Sequence, residues 1–212
     1  MIVTARNEAD RLGATLRALP EAEVWVADDA SEDATAAVAV AAGARVVTTP
    51  KRLGKGGAAP LAAETLLREG DPAVLLADAD LGESAAQLQR LVDALGDADL
   101  AIATFARRAG GGFGIAVGTS RWAIQLATGR TMTAPISGQR ALRPGVLRQL
   151  TPFATGFGME TGMTIDALRA GLTVVEVELE LEHRATGKTL AGFVHRGRQA
   201  RDIVRAYASR RS

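Results

Sequence analysis

The chain has 212 residues, enough for one domain with a three-layer core, and its 47% apolar and 23% charged residues are those of a water-soluble globular protein. It has no cysteine, which excludes disulfides and thiolate metal sites, and no apolar run approaches a membrane span. The formal net charge of +1 argues against nucleic acid as a bulk electrostatic partner, but it averages two unlike parts: residues 183–212 carry eight basic residues and one acid, whereas residues 1–182 carry 17 and 23.

MIVTAR enters a strand directly, with no basic leader or apolar signal region, so the expected place of work is the cytoplasm. The strand, Ile2 to Ala5, is followed by a polar turn at Arg6-Asn7-Glu8. A helix is predicted from about Ala9 to Leu19, with Leu12, Leu16 and Leu19 at helical spacing and Pro20 as its stop. EVWVADDAS reads as the second strand and ends in paired acids, Asp28 and Asp29. Ser31 is the expected N-cap of an alanine-rich helix running to Ala42, stopped by Gly43. ARVVTT is the third strand, and a basic, glycine-rich turn, KRLGKGG, leads to a helix ending near Gly70.

Ala73 to Ala77 is nearly unbroken apolar sequence, as in a parallel strand covered on both faces. It runs into two carboxylates, Asp78 and Asp80. Buried without a partner, such charges cost on the order of several kcal/mol, so something must neutralise them. Hard carboxylate oxygens favour Mg²⁺ or Mn²⁺ over Zn²⁺. The structural alternative is a strand-end pair that caps the polar turn Gly82-Glu83-Ser84. Four strands alternate with three helices, which predicts a doubly wound α/β sheet whose ligand lies outside the carboxyl ends of its strands. Four strand ends then deliver Arg6-Asn7-Glu8, Asp28-Asp29, the Lys51–Lys55 turn and Asp78-Asp80 to one rim.

The second half is less regular. A fifth strand is predicted from Asp99, followed by a flexible loop, RRAGGGFGIAVG, and a helix from Arg121 to Thr128. Gly112-Phe113-Gly114 lacks the strand–turn–helix setting of a dinucleotide fingerprint. ISGQRAL reads as a short strand with a helix after Pro144, and GFGMETGMTIDALRAG as a glycine-hinged turn entering a helix that stops at Gly171. In TVVEVELELE, Val175, Val177, Leu179 and Leu181 alternate with Glu176, Glu178, Glu180 and Glu182, and the glutamates are expected on a solvated face. From Leu190 onward, Phe193, Val194, Ala200, Val204 and Tyr207 form a helical apolar stripe surrounded by Arg196, Arg198, Arg201 and Arg205. This helix is expected either to pack on the domain or to lie on an anionic membrane surface.

Taken together, these stretches resemble family 2 glycosyltransferases of GT-A fold. IVTARNE is similar to their PAYNE-type opening, VADDASEDAT to VDDGSTDGT, LGKGGA to their basic KG loop, and DAD to their DxD motif. ADLAIATFARRAGGG, ISGQRALRPGVL, GFGMETGMTIDALRAGLTVVEVELE and HRATGKT resemble further stretches of the dolichyl-phosphate mannosyltransferase-like members. The resemblance implies a single α/β GT-A domain over residues 1–189, with a mostly parallel central sheet flanked by helices, and a basic C-terminal helix over residues 190–212. It also implies metal-dependent transfer of a sugar from a nucleotide-diphosphate sugar, with inversion. The acceptor would be a polyprenyl phosphate or a small phosphorylated or hydroxylated metabolite, and work at the inner face of a membrane would follow from a lipid acceptor.

On this resemblance Thr4, Arg6, Asn7, Glu8, Asp28, Asp29, Lys55, Gly56, Asp78 and Arg184 would bind the nucleotide sugar. Asp78 and Asp80 would hold Mn²⁺ or Mg²⁺, with His183 as a further ligand. Glu160 would be the general base and Asp80 the second catalytic residue. Arg107, Arg108, Arg121 and Gln139 would meet the acceptor. The chain departs from the family where the glutamine of DADLQ stands as Gly82, and where the arginine of GSR stands as Phe105. Alternative readings are a sugar-1-phosphate nucleotidylyltransferase, which would carry its glycine-rich basic loop right after the first strand, and a non-catalytic GT-A binding module.

Overall fold

The structure, a computed structural model, describes residues 1–105, 114–182 and 190–210; for Lys55 and residues 190–198 it describes the backbone alone. The first half alternates β1 (Ile2–Ala5), α1 (Leu12–Ala18), β2 (Trp25–Asp28), α2 (Thr35–Ala41), β3 (Arg45–Thr48), α3 (Lys55–Glu69) and β4 (Val74–Asp78). The second half contains α4 (Gln89–Asp93), β5 (Leu100–Phe105), α5 (Gly114–Thr128), β6 (Arg140–Leu142), α6 (Val146–Leu150), α7 (Met159–Arg169), β7 (Val174–Leu179) and α8 (Leu190–Ala208). The strands form one sheet in the order β3-β2-β1-β4-β6-β5-β7. All pairings are parallel except those of β6, which lies antiparallel between β4 and β5.

The near-continuous apolar strands follow from a sheet covered on both faces. Ile2, Trp25, Leu76 and Leu100 pack with Ala59 of α3, Ile124 of α5, Met163 of α7 and Ile203 of α8. Their sequence neighbours Val3, Val26, Leu75 and Ala101 pack with Leu12 of α1, Ala39 of α2 and Leu91 of α4. The parallel strands all end at one edge, as the alternation of elements predicts.

Several local expectations are corrected. The first helix starts at Leu12 rather than Ala9, because the Glu8 carbonyl accepts the N–H groups of Arg11 and Leu12 at 3.0 and 2.8 Å and makes a turn first. Ser31 does not cap α2; the Asp33 carboxylate accepts the Thr35 N–H at 2.9 Å instead. The helix expected from Arg121 begins at Gly114, since Ala116, Ser120, Ala123 and Ile124 bury a full stripe that outweighs the low propensity of its glycines. Glu176 is not on a purely solvated face: its two carboxylate oxygens accept the N–H groups of Thr133 and Ala134 at 2.8 and 2.7 Å. On α8 the buried stripe is Ile203, Ala206 and Tyr207, while Val204 faces outward. Phe193, Val194, Arg196 and Arg198 lie outside the described side chains.

Candidate active site

The rim is built from the ends of β1, β2 and β4. Thr4 and Asp78 are register partners across β1 and β4, and Ala5 and Asp28 across β1 and β2. Asp78 is held from both sides. Its Oδ1 accepts the Thr4 hydroxyl at 3.2 Å, and its Oδ2 accepts the Gln139 amide at 2.6 Å from just ahead of β6. Both donors are neutral, so they orient the carboxylate without themselves cancelling its charge. Gln139 was expected at the acceptor; the structure places it on the first acid of the DAD stretch.

The turn that carries Asp80 is anchored from α1. The Thr15 hydroxyl, fully buried, donates to the Ala79 carbonyl at 2.8 Å and accepts the Gly82 N–H at 2.8 Å. The Arg11 guanidinium donates to the Asp80 carbonyl at 3.0 Å. Sequence reasoning missed both residues, although a threonine in the middle of the Leu12–Leu19 stripe was a signal. Gly82 stands here with a φ of 54°, a conformation that glycine adopts without a Cβ penalty. It opens a 3₁₀ turn over Gly82–Leu88.

The β2 end is knitted to its surroundings. Asp29 Oδ1 accepts the Leu53 N–H at 2.6 Å, and Oδ2 accepts the Gly54 N–H at 2.8 Å. Asp29 thus holds the turn that opens α3. Asp28 Oδ1 accepts the N–H of Ser31 at 3.2 Å and also its hydroxyl. Arg6 donates to the Asp29 carbonyl at 2.9 Å, and Asn7 exchanges hydrogen bonds with Ser31 Oγ and the Glu32 N–H. The Glu8 N–H donates to Thr35 Oγ1 at 2.8 Å. Five of the expected donor-site residues therefore also fix the rim's own shape.

Lys55 begins α3, and Gly56 follows in its first turn. A Cβ on Gly56 would lie 2.2 Å from the Gly156 carbonyl oxygen, so glycine is required where α3 meets the turn before α7. That turn delivers Glu160, which is buried in the first turn of α7. The neighbouring Thr161 shares a 2.7 Å hydrogen bond with Ser120 of α5. Arg121, expected at the acceptor, donates to the carbonyls of Met132 and Thr133 at 3.0 and 2.6 Å and so braces its own loop.

Arg140 was also missed. Its guanidinium is fully buried and donates to the Ser137 carbonyl at 2.8 Å, the Pro135 carbonyl at 3.1 Å and Thr164 Oγ1 at 2.9 Å. Thr164 in turn donates to the Glu160 carbonyl at 2.9 Å. Burial pushes the pKa of Arg140 down to about 10, with the charges of Glu160 and Glu176 opposing the shift. Arg107, Arg108, His183 and Arg184 lie outside the described residues. Among the described residues no group of three or more histidine, aspartate or glutamate side chains is placed to hold a metal ion. Of the residues expected to hold an ion, the described ones are Asp78 and Asp80.

The sequence profile described as Glycosyl transferase family 2 matches residues 1–155. An undecaprenyl-phosphate mannosyltransferase from Micrococcus luteus is 33% identical over 208 residues, covering 89% of this chain and 85% of the relative. Glucosyl-3-phosphoglycerate synthase from Mycobacterium tuberculosis, solved with Mn²⁺, UDP and glucosyl-3-phosphoglycerate, superposes with a TM-score of 0.77 at 27% identity, over 99% of this chain and 78% of that one. Mannosyl-3-phosphoglycerate synthase from Rubrobacter xylanophilus gives a TM-score of 0.80 at 27% identity, over 99% and 72%. With sequence profile, curated relative and fold in agreement, this chain belongs to glycosyl transferase family 2.

Proposed function

We propose that the protein transfers a sugar from a nucleotide-diphosphate sugar to a phosphorylated acceptor at the carboxyl edge of its sheet. The observation that carries this reading is the Asp78-Ala79-Asp80 turn, a DxD motif, whose first acid is oriented from both flanks by Thr4 and Gln139. The donor set fits Mn²⁺ or Mg²⁺. It consists of hard carboxylates from one strand end, with the remaining positions left to diphosphate oxygens, water and His183. When bound, such an ion stabilises the negative charge that gathers on the departing diphosphate.

The chain's own residues do the rest. The amides at the start of α3, and the cation that Lys55 brings to that turn in the sequence, suit the diphosphate, since a helix N-terminus and a cation both favour an anion. Asp29, by holding the Leu53 and Gly54 amides, keeps that turn in place. Asp28, Arg6, Asn7 and Glu8 form the nucleoside side of the rim, and the family resemblance assigns Arg184 to the donor as well. An acceptor oxygen forms the new bond to the anomeric carbon as the bond to the diphosphate breaks, and its electron pair leaves with the diphosphate. Attack from the opposite face inverts the centre.

Two acceptor classes follow from the relatives. The curated relative at 33% identity acts, by its name, on undecaprenyl phosphate, and the solved neighbours make phosphoglycerate glycosides. Polyprenyl phosphate is our leading acceptor because it comes with the higher identity. Such an acceptor is met at a membrane surface, and no helix among the described residues is long and apolar enough to cross a membrane. A phosphate oxygen is already ionised at neutral pH, so Glu160 would then position groups; for a hydroxyl acceptor Glu160 takes its proton.

A thermal-stability screen of UDP- and GDP-sugars with Mn²⁺ or Mg²⁺ tests the reading, because a ligand that binds only the native state raises its apparent stability. One nucleotide sugar is expected to raise the melting temperature in the presence of the ion, and Asp80→Ala to remove the effect. No stabilisation by any nucleotide sugar would refute it.

A further inference from the structure

Helices α5 and α8 pack against each other, and each leaves one face exposed. Trp122 of α5 and Tyr207 of α8 meet with ring centroids 5.5 Å apart and planes tilted by 58°. Around this contact, Ile115, Trp122 and Leu126 are 56%, 51% and 57% exposed, and Val204 is 43% exposed. The spacing of 115, 122 and 126 makes one outward stripe along α5, while Ala116, Ser120, Ala123 and Ile124 point to the core. The rest of that stripe, Gly118 and Gln125, is uncharged. A tryptophan at the centre of an exposed apolar stripe calls for a covering partner.

The charges beside the stripe select the partner. The outward positions of α8 read Arg201, Val204, Arg205 and Ala208, and the sequence of that helix also carries Arg196 and Arg198. Arg130 follows the end of α5 and is exposed. Neither helix has an acid except Asp202, which is mostly buried and paired with Arg201 at 3.2 Å. A twofold contact through this face would set arginines of one copy against those of another, so self-association is disfavoured. An anionic lipid surface satisfies both features: arginines meet lipid headgroups, and an aromatic ring with aliphatic neighbours enters the boundary below them.

We propose that the joined outer faces of α5 and α8 are the surface by which this protein rests on an anionic bilayer, with Trp122 at headgroup depth. For its purpose this rests on the polyprenyl-phosphate reading, since a lipid-linked acceptor is reached from the bilayer surface. Two features set it apart from a lone amphipathic C-terminal helix. The apolar residues Ile203, Ala206 and Tyr207 of α8 pack inward, and the inserted residues come mainly from α5.

The tryptophans supply a selective reporter. The chain has two, and Trp25 is buried in the sheet with the Arg45 guanidinium stacked 3.7 Å from its ring centre. Trp122 is therefore the one whose emission a bilayer can change. The full chain is mixed with phosphatidylcholine vesicles with and without phosphatidylglycerol, and followed by tryptophan emission and co-sedimentation. Nucleotide-sugar binding and sedimentation equilibrium are measured on the same preparation.

A blue shift and co-sedimentation that need phosphatidylglycerol and weaken with salt are expected. Neutralising both Arg201 and Arg205 to Gln should lower partitioning roughly 25-fold, at about fivefold per cation. Leu126→Gln, an exposed change that spares the Trp122–Tyr207 contact, should also lower partitioning and shift less emission; Trp122→Ser, checked by melting temperature, should do the same by sedimentation. Absence of vesicle binding at low salt in protein that binds the nucleotide sugar overturns this surface and leaves the transferase reading standing. Vesicle binding without nucleotide-sugar binding does the reverse. Vesicle binding unchanged in all three variants, or a dimer that Trp122→Ser dissociates, also overturns it.

Discussion

Arg140→Lys should destabilise the fold more than Arg140→Met, although lysine keeps the charge. The fully buried guanidinium has three hydrogen-bond partners, two carbonyls and a hydroxyl, none of them a carboxylate. Burial lowers its pKa from the usual guanidinium value to about 10, which corresponds to roughly 3 kcal/mol against burying the charge. The folded state binds this proton less tightly than the unfolded chain. The cost is therefore complete below about pH 10 and fades only as pH rises from there towards the usual guanidinium value. Lysine retains that cost, but a compact ammonium cannot span Ser137, Pro135 and Thr164 together. Losing two of three charge-assisted bonds, at about 1.5–3 kcal/mol each, puts Arg140→Lys about 3–6 kcal/mol below the parent. Methionine removes the charge, which gains about 3 kcal/mol, and leaves three acceptors unpaired at about 1 kcal/mol or more each, so its net loss is smaller. Urea unfolding with unchanged denaturant slopes measures both variants. A lysine variant within about 1 kcal/mol of the parent, or a methionine variant less stable than the lysine one, would refute this reasoning.

Three other outcomes are expected. Ala30 holds a φ of 53° at the rim, so Ala30→Gly should raise stability by about 0.5–1 kcal/mol in thermal unfolding, after the entropy that glycine adds to the unfolded chain; a loss of stability would show that the site is not strained. Glu160→Gln should lower turnover by roughly 10²–10⁴-fold with a hydroxyl acceptor and far less with a phosphate acceptor; equal activity on a proven hydroxyl acceptor would remove Glu160 as the base. The Thr35 hydroxyl and N–H hold the Asp33 carboxylate below its usual 3.8, so its stabilising contribution is present above that pH and is lost as pH falls through the lowered folded value. Asp33→Asn should therefore flatten that part of the acid limb in melting curves recorded from about pH 5 to about pH 2, and an unchanged limb would count against the cap.

The rim was legible because its physics is local. An apolar run that ends in acids marks a buried strand reaching polar space, and Asp28, Asp29, Asp78 and Asp80 all carry that mark. The sheet order was not, because the antiparallel insertion of β6 between β4 and β5 depends on pairings distant in sequence. That insertion is what brings Gln139 to Asp78. Thr15 and Arg140 were missed for a related reason: a threonine in an apolar stripe signals only that it has a partner, and an arginine in a short strand not even that, until α1 and α7 close over them. The α5 helix was read as starting late because glycine propensity argued against Gly114 and Gly118, whereas packing decided the matter. Glu176 looked solvated by alternation alone, and its two backbone partners come from a loop 42 and 43 residues earlier.

The central claim is that the DAD rim moves a sugar onto a phosphorylated acceptor. Its most direct test is transfer of a radiolabelled sugar from UDP- and GDP-sugars to undecaprenyl phosphate and, in parallel, to 3-phosphoglycerate, with and without Mn²⁺ or Mg²⁺. The account predicts label in one of these products, most of it in the lipid phase, dependent on the ion, and absent in Asp78→Ala and Asp80→Ala proteins that remain folded. Label that forms equally well without the ion, or that survives in both variants, would contradict it.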